Sequence, residues 1–190
     1  EIALAVREHY LPSGLDSKTP KKPFSVALAL TDKIDTLVGF FGINQKPTSS
    51  KDPYALRRSA LGVVKLLIDN NKDFKIKDLI SYSTSLHRDQ GFELTNESHQ
   101  KELAEFLMDR LKYYMKEKQI RGDIIEASVS SHNLDNMNKI YNKASTLNSV
   151  ISKEIGEDVV KNYKRASSIL SGELKDKDIE LSNTTDPGIF

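Results

Sequence analysis

Apolar residues recur along this chain at helical spacing, and nowhere do they alternate with polar ones long enough to predict a strand. Glu1 to Tyr10 reads as the last turns of an amphipathic helix. A polar connector over residues 12–23 follows. It closes with Pro23 at a first-turn position, where the missing proline N–H costs no hydrogen bond. From Phe24 to Phe41 the positions Val26, Leu28, Leu30, Ile34, Leu37 and Val38 predict a helix buried on most faces. A loop over 42–51 leads to Asp52-Pro53, which predicts a helix with an aspartate cap and proline at its first position. Leu56, Ala60, Val63, Val64 and Leu67 give that helix its apolar stripe.

A weaker helix is predicted over 76–86, then a polar loop with Gly91 and Asn96, then a long amphipathic helix over 97–118 carrying Leu103, Phe106, Leu107, Leu111 and Tyr114. Arg121-Gly-Asp123 breaks it, and Asp123 is placed to cap a short helix with Ile124, Ile125 and Val129. Leu134, Met137, Ile140, Tyr141, Ala144 and Leu147 mark another helix. Val159, Tyr163, Ala166 and Leu170 mark the last, over 157–170, which Gly172 is expected to end before a charged tail. The pattern predicts an all-α multi-helix bundle. It is open to division in the polar stretch 87–97 into two helical subdomains, 1–88 and 89–190. Residue 1 is Glu, and Asp186-Pro-Gly-Ile-Phe190 stops just after a turn signal, so a piece of a longer protein is expected.

Composition narrows the chemistry. Among 190 residues, 28 Lys and Arg face 27 Asp and Glu, a net charge of +1, so any basic surface is a local patch. Cysteine is absent, which excludes disulfides, thiolate catalysis and cysteine-bound metals. No apolar run approaches the ~20 residues of a membrane helix. No signal peptide is read, and a cytoplasmic location is expected.

Among the four histidines, His9, His87, His99 and His132, none has a second ligand at a persuasive spacing. His9 and Asp32 are kept as a possible remnant of a metal site with ligands upstream. Gly39 and Gly42 lie near Lys46, yet neither GxxxxGK[ST] nor GxGxxG occurs, and the glycines are read as ending the buried helix. There is no GxSxG, and no residue is assigned a catalytic role. Arg121-Gly122-Asp123 is read as an interhelical turn rather than an adhesion motif.

Two basic clusters carry more. Lys46, Lys51, Arg57, Arg58 and Lys65 stand against one acid, Asp52. On a helical wheel Arg58 and Lys65 face solvent, while Arg57 falls inside the arc of Leu61, Val64 and Ile68 and is expected to be partly buried against a carboxylate. In the last helix Lys161 and Arg165 share the face opposite Val159 and Tyr163, with Lys164 beside them. Such stripes suit phosphate backbones, and an ordinary solvated helix face is the competing explanation. Lys46, Lys51, Arg58, Lys65, Lys161, Lys164 and Arg165 are the candidate binding residues, and Arg57 the candidate structural ion pair.

The run from Ala29 to Gly62 contains Asp32-Lys-Ile-Asp-Thr-Leu-Val-Gly-Phe-Phe-Gly42 and Lys51-Asp-Pro-Tyr-Ala-Leu-Arg-Arg58. It closely resembles the beta subunit of bacterial glycyl-tRNA synthetase, departing at Thr31 (Ala in the family), Asn44 and Ser49 (Gly) and Tyr54 (Phe). Arg7-Glu-His-Tyr-Leu-Pro12 and Tyr163-Lys-Arg-Ala-Ser-Ser-Ile-Leu170 also resemble the family. Phe106-Leu-Met-Asp-Arg-Leu111 and Ile120-Arg-Gly-Asp-Ile-Ile125 match more loosely.

The resemblance implies a piece of the two-subunit ligase that charges tRNA with glycine, contributing tRNA binding and subunit assembly. Its first part would be the end of an HD-like helical domain, with Asp32 as the last motif aspartate. Its second would lead toward the anticodon-binding domain. ATP and Mg²⁺ would sit at the alpha subunit, with no cofactor on this segment, in a heterotetramer of two alpha and two beta chains. Two other readings compete: an HD-type metal-dependent phosphohydrolase, which lacks its His-Asp dyad here, and a purely structural helical module.

Overall fold

A computed structural model describes residues 1–130 and 136–173. Eight helices and no strands occur among them: α1 (Ile2–Glu8), α2 (Pro23–Gly42), α3 (Leu56–Asp69), α4 (Ile76–Asp89), α5 (His99–Glu117), α6 (Gly122–Val129), α7 (Met137–Ile151) and α8 (Glu154–Glu173). The chain divides into two compact units, Glu1–Asn148 and Ser149–Phe190. The polar stretch 87–97 lies inside the first unit and joins α4 to α5, which pack on one another.

The first unit is organised around α2 and α3. They pack together, α5 lies against both, and α1 and α4 cover further faces of α2. Leu37, Val38, Leu56, Val63, Val64, Leu66, Leu67, Leu103, Leu107, Leu111 and Met115 are fully or almost fully buried. Burying a side chain of this size is worth about 1.5–3 kcal/mol, so this cluster is the main stabilising term. α7 brings Ile140 and Ala144 inside and sets Tyr141 against Tyr114, ring centroids 5.7 Å apart. The Asn138 side-chain amide donates to Asn71 and Asp73, at 2.7 and 3.0 Å.

Helix ends follow a rule that glycine content does not reveal. α2, α3 and α5 each end on a left-handed residue that is not glycine: Asn44, Asn71 and Gln119, with φ near 50–59°. In each, two backbone bonds close the end, as when Asn71 N–H donates to Ile68 C=O and Lys72 N–H to Leu67 C=O. This is the Schellman arrangement, which satisfies carbonyls the helix would otherwise leave unpaired. Asn tolerates the left-handed region better than most side chains.

Three expectations are corrected by the chain's own geometry. The helix predicted to start at Pro53 begins at Leu56, because Asp52-Pro-Tyr-Ala55 forms a turn closed by Ala55 N–H to Asp52 C=O. α8 continues to Glu173, so Gly172 lies within its last turn. Asp123 sits inside the first turn of α6 and pairs with Arg121 at 2.7 Å; it is not the capping residue, which is Arg121. That hydrogen bond is the main reason the Asp123 carboxyl lies below the usual aspartate range. His132, Leu134 and the tail from 174 onward lie outside the described residues.

The connector between α1 and α2 is held down by two lysines. Lys33 of α2 is 5% exposed, and its ammonium donates to the carbonyls of His9 and Tyr10, at 3.1 and 3.3 Å. Lys65 of α3 is 6% exposed and donates to the carbonyls of Leu15 and Ser17. Gly62 makes room for this: a Cβ there would lie 2.6 Å from Lys33 Cε and 3.5 Å from the Pro12 carbonyl. Thr19 and Lys21 then tie the connector to the end of α3, through the Asp69 carboxylate and carbonyl respectively. Burial pushes both lysines below their usual pKa, with nearby carboxylates, Asp32 for Lys33 and Asp69 first for Lys65, acting in the opposite direction.

Two outcomes are expected. Lys33→Met leaves the His9 and Tyr10 carbonyls without a donor, and urea unfolding of this variant should show a loss of about 2–4 kcal/mol. The second concerns alkali. Tyr114 is 3% exposed, and its hydroxyl donates to Asp69 at 3.3 Å. Burial first, then the Asp69 charge, raise its pKa well above 10. Above pH ~10 an unfolded chain releases this proton while the folded one keeps it, so stability falls with rising pH. A melting-temperature profile should fall less steeply above pH ~10 in Tyr114→Phe than in the unmodified chain.

Candidate nucleic-acid interface

The basic cluster at the start of α3 is built on a carboxylate. Ala55 occupies the N-cap position in the left-handed region and offers no side-chain acceptor. Asp52 fills that need instead, accepting Leu56 N–H at 2.8 Å and Arg57 N–H at 3.0 Å through its two oxygens. The helix N-terminus therefore already holds an anion of its own. Arg57 is half-buried. Its guanidinium donates to the Thr48 carbonyl and lies 3.9 Å from Asp52, bracing the 48–52 loop against the helix.

The remaining cations of the cluster separate into occupied and available ones. Lys46 donates to Glu102 at 2.9 Å, and the Asn96 amide donates to the same carboxylate at 2.7 Å. These two hydrogen bonds, Asn96 first, hold the Glu102 carboxyl below its usual value near 4.5. Lys65 does not face solvent as the helical wheel places it. The middle of α3 is buried from Gly62 to Leu67, with α2 and α5 packed against it and the 9–19 connector over the remaining face. A wheel drawn from one helix carries no information about a distant irregular segment lying over its polar side. Lys51 and Arg58 are exposed, and their side chains have no hydrogen bond or ion pair among the described residues.

In the second unit, Lys161, Lys164 and Arg165 are exposed, with Lys161 3.7 Å from Asp158 one turn earlier. Val159 and Tyr163, on the opposite face of α8, are 62% and 73% exposed.

One cation escapes sequence reasoning. Arg110 of α5 lies between Phe106 and Tyr113, its guanidinium carbon 5.6 and 5.8 Å from the two ring centres. Its Nε is buried without a hydrogen-bond partner. Aromatics four residues before and three after an arginine were the available signal, since those positions share a helix face.

His9 Nδ1 sits against the Val6 carbonyl, Asp32 is exposed, and no group of three or more His, Asp or Glu able to hold a metal occurs among the described residues. His99 is buried at the start of α5, with Nδ1 on the Asn96 carbonyl and Nε2 3.1 Å from the Thr84 hydroxyl, a packing role joining α5 to α4. Among the described residues no helix is long and apolar enough to cross a membrane.

The glycyl-tRNA synthetase beta subunit family matches residues 1–130. Among curated relatives, the glycine–tRNA ligase beta subunit of Cereibacter sphaeroides (strain ATCC 17029) is 38% identical over 187 residues, covering 98% of this chain and 27% of that protein. That of Ruegeria sp. (strain TM1040) is 38% identical over 182 residues, covering 96% and 25%. That of Paracoccus denitrificans (strain Pd 1222) is 37% identical over 186 residues, covering 98% and 26%. The chain thus spans about a quarter of the length of these relatives. With a family match over more than two thirds of its residues, and this identity along nearly all of it, the chain belongs to the glycyl-tRNA synthetase beta subunit family.

Proposed function

We propose that this chain is a segment of the beta subunit of glycine–tRNA ligase, and that its own work is to bind tRNA and to take part in subunit assembly. The observation that carries the reading is the similarity to glycine–tRNA ligase beta subunits along 98% of the chain. Glycine activation, with ATP and Mg²⁺, is assigned to the alpha subunit, in a cytoplasmic assembly of two alpha and two beta chains. The residues of this segment do no bond-making chemistry in this account. They supply fixed positive charge to a polyanion.

Lys51, Arg58, Lys164 and Arg165 are the residues best placed for that. They are exposed, whereas Lys46 is committed to Glu102 and Lys65 to the connector. Each phosphate neutralised releases counterions, so binding weakens as salt rises. Long lysine and arginine side chains reach phosphates without demanding a particular base, so these residues, in each unit taken by itself, hold and orient RNA rather than reading its sequence.

Titrating the 190-residue chain with glycine tRNA and an unrelated tRNA at two salt concentrations tests this. Salt-sensitive binding is expected, and its absence at low salt removes the direct tRNA role. The double variant Lys51→Glu/Arg58→Glu should bind more weakly, its log–log salt slope shallower by about 1 for every phosphate no longer neutralised. Lys164→Glu/Arg165→Glu tests the second unit in the same way. As a contrast, Lys65→Ala should lower the melting temperature and leave tRNA affinity unchanged, because its ammonium is spent inside the fold.

A further inference from the structure

A cavity of about 470 Å³ opens beside α2, and the charge of its lining is opposite to that of the basic loop. Gly39 of α2 is its floor. Without a side chain there, the His87 ring from α4 lies directly on the helix: a Cβ on Gly39 would meet His87 Nε2 at 3.2 Å. His87 is fixed from behind, its Nδ1 3.0 Å from the Ser83 carbonyl and its ring 5.8 Å from that of Phe92. Nε2 lies 3.6 Å from Asp35 Oδ1, beyond hydrogen-bond range.

The walls are Phe40, Ile43, Phe92 and Leu94, with Tyr54 stacked behind Phe40 at 4.1 Å. Phe92 is 58% exposed. Two carboxylates, Asp35 and Glu93, stand in the lining, and no Lys or Arg is part of it. Aromatic faces and carboxylates together attract a cation with an apolar stem. The same carboxylates repel a phosphate-bearing chain, which separates this cavity from the surface proposed for tRNA. A volume of this size falls within the usual range for ligand sites.

The cavity does not stand alone along α2. A smaller one of about 120 Å³ shares Asp35 with it and continues between α2 and α4, lined by Leu30, Ile34, Leu79, Tyr82 and Leu86. Tyr82 is 68% exposed and Leu86 39%. A groove that continues past the charged cavity, apolar and open, suits an extended polypeptide better than an isolated small cation.

We propose that this groove docks a polypeptide segment of a protein partner through an arginine whose guanidinium enters the cavity of Asp35, Phe40, His87, Phe92 and Glu93, with flanking apolar residues along α4. Arginine is favoured over lysine because its planar head stacks on aromatic rings and pairs with carboxylates at two points, and arginine is enriched among residues that dominate protein interfaces. The inference is independent of the tRNA reading, since it uses none of Lys51, Arg58, Lys164 or Arg165.

The probe is the peptide acetyl-Leu-Arg-Leu-amide, titrated into the ¹⁵N-labelled 190-residue chain and followed by amide chemical shifts. Saturable shifts confined to residues around Asp35, Gly39, Tyr82, His87 and 90–94 are expected. The counterpart with citrulline in place of arginine keeps the shape and loses the charge, and should bind about tenfold more weakly, the effect of one modest charge interaction. Asp35→Asn/Glu93→Gln should weaken the arginine peptide to a similar extent, with an unchanged melting temperature because both carboxylates are exposed. Phe92→Ala should remove binding through the wall. Equal affinity for the citrulline peptide, no saturable shift with the arginine peptide, or cytidine or adenosine binding there in preference would each overturn the proposal.

Discussion

A chain segment with no secondary structure of its own can lie over a hydrophobic core only if its carbonyls find donors. The stretch between α1 and α2 meets this requirement through Lys33 and Lys65, which reach from two different helices into the same segment. Lysine suits the task because one ammonium supplies three donors on a flexible stem whose methylene groups stay among apolar neighbours. Removing the ammoniums from water has a cost, seen in the lowered pKa of both. The connector in turn shields the middle of α3, so the stretch from Gly62 to Leu67 is buried all around where an isolated amphipathic helix would show a polar side.

That arrangement decides which parts of the fold could be read from sequence. Helix positions were largely legible, because Leu56, Ala60, Val63, Val64 and Leu67 repeat at the right period and α2 is apolar on most faces. The starts and ends were less so. Asn44, Asn71 and Gln119 terminate helices through backbone closure rather than through glycine, and Asp52 caps α3 from four residues before its first helical residue. These are turn geometries in which a common residue type does an uncommon job, and periodicity does not register them.

The candidate surface was legible in part for a related reason. Local charge counts find Lys46, Lys51, Arg58 and Lys65 together, but they do not distinguish a lysine facing water from one facing carbonyls. Lys46 is drawn off by Glu102, more than fifty residues away in sequence, and Lys65 by residues 15 and 17. Long-range pairing of this kind is set by tertiary packing alone. In α8, by contrast, the apolar positions Val159 and Tyr163 that mark the helix in sequence are exposed among the described residues, because amphipathic spacing says where a partner could lie and not whether one is there.

The Asp52 carboxylate at the start of α3 has a further consequence. Helix N-termini with uncapped amides are ready receptors for phosphate, able to grip it through rigid main-chain donors. Here the Leu56 and Arg57 amides are already engaged by the protein's own carboxylate, so an approaching phosphate meets a competitor instead of a vacancy. Under the tRNA-binding proposal, contact at this end of the helix would fall to long side chains that bend and slide. Such a surface would tolerate small shifts in the position of a polyanion, and exact placement would have to be set elsewhere.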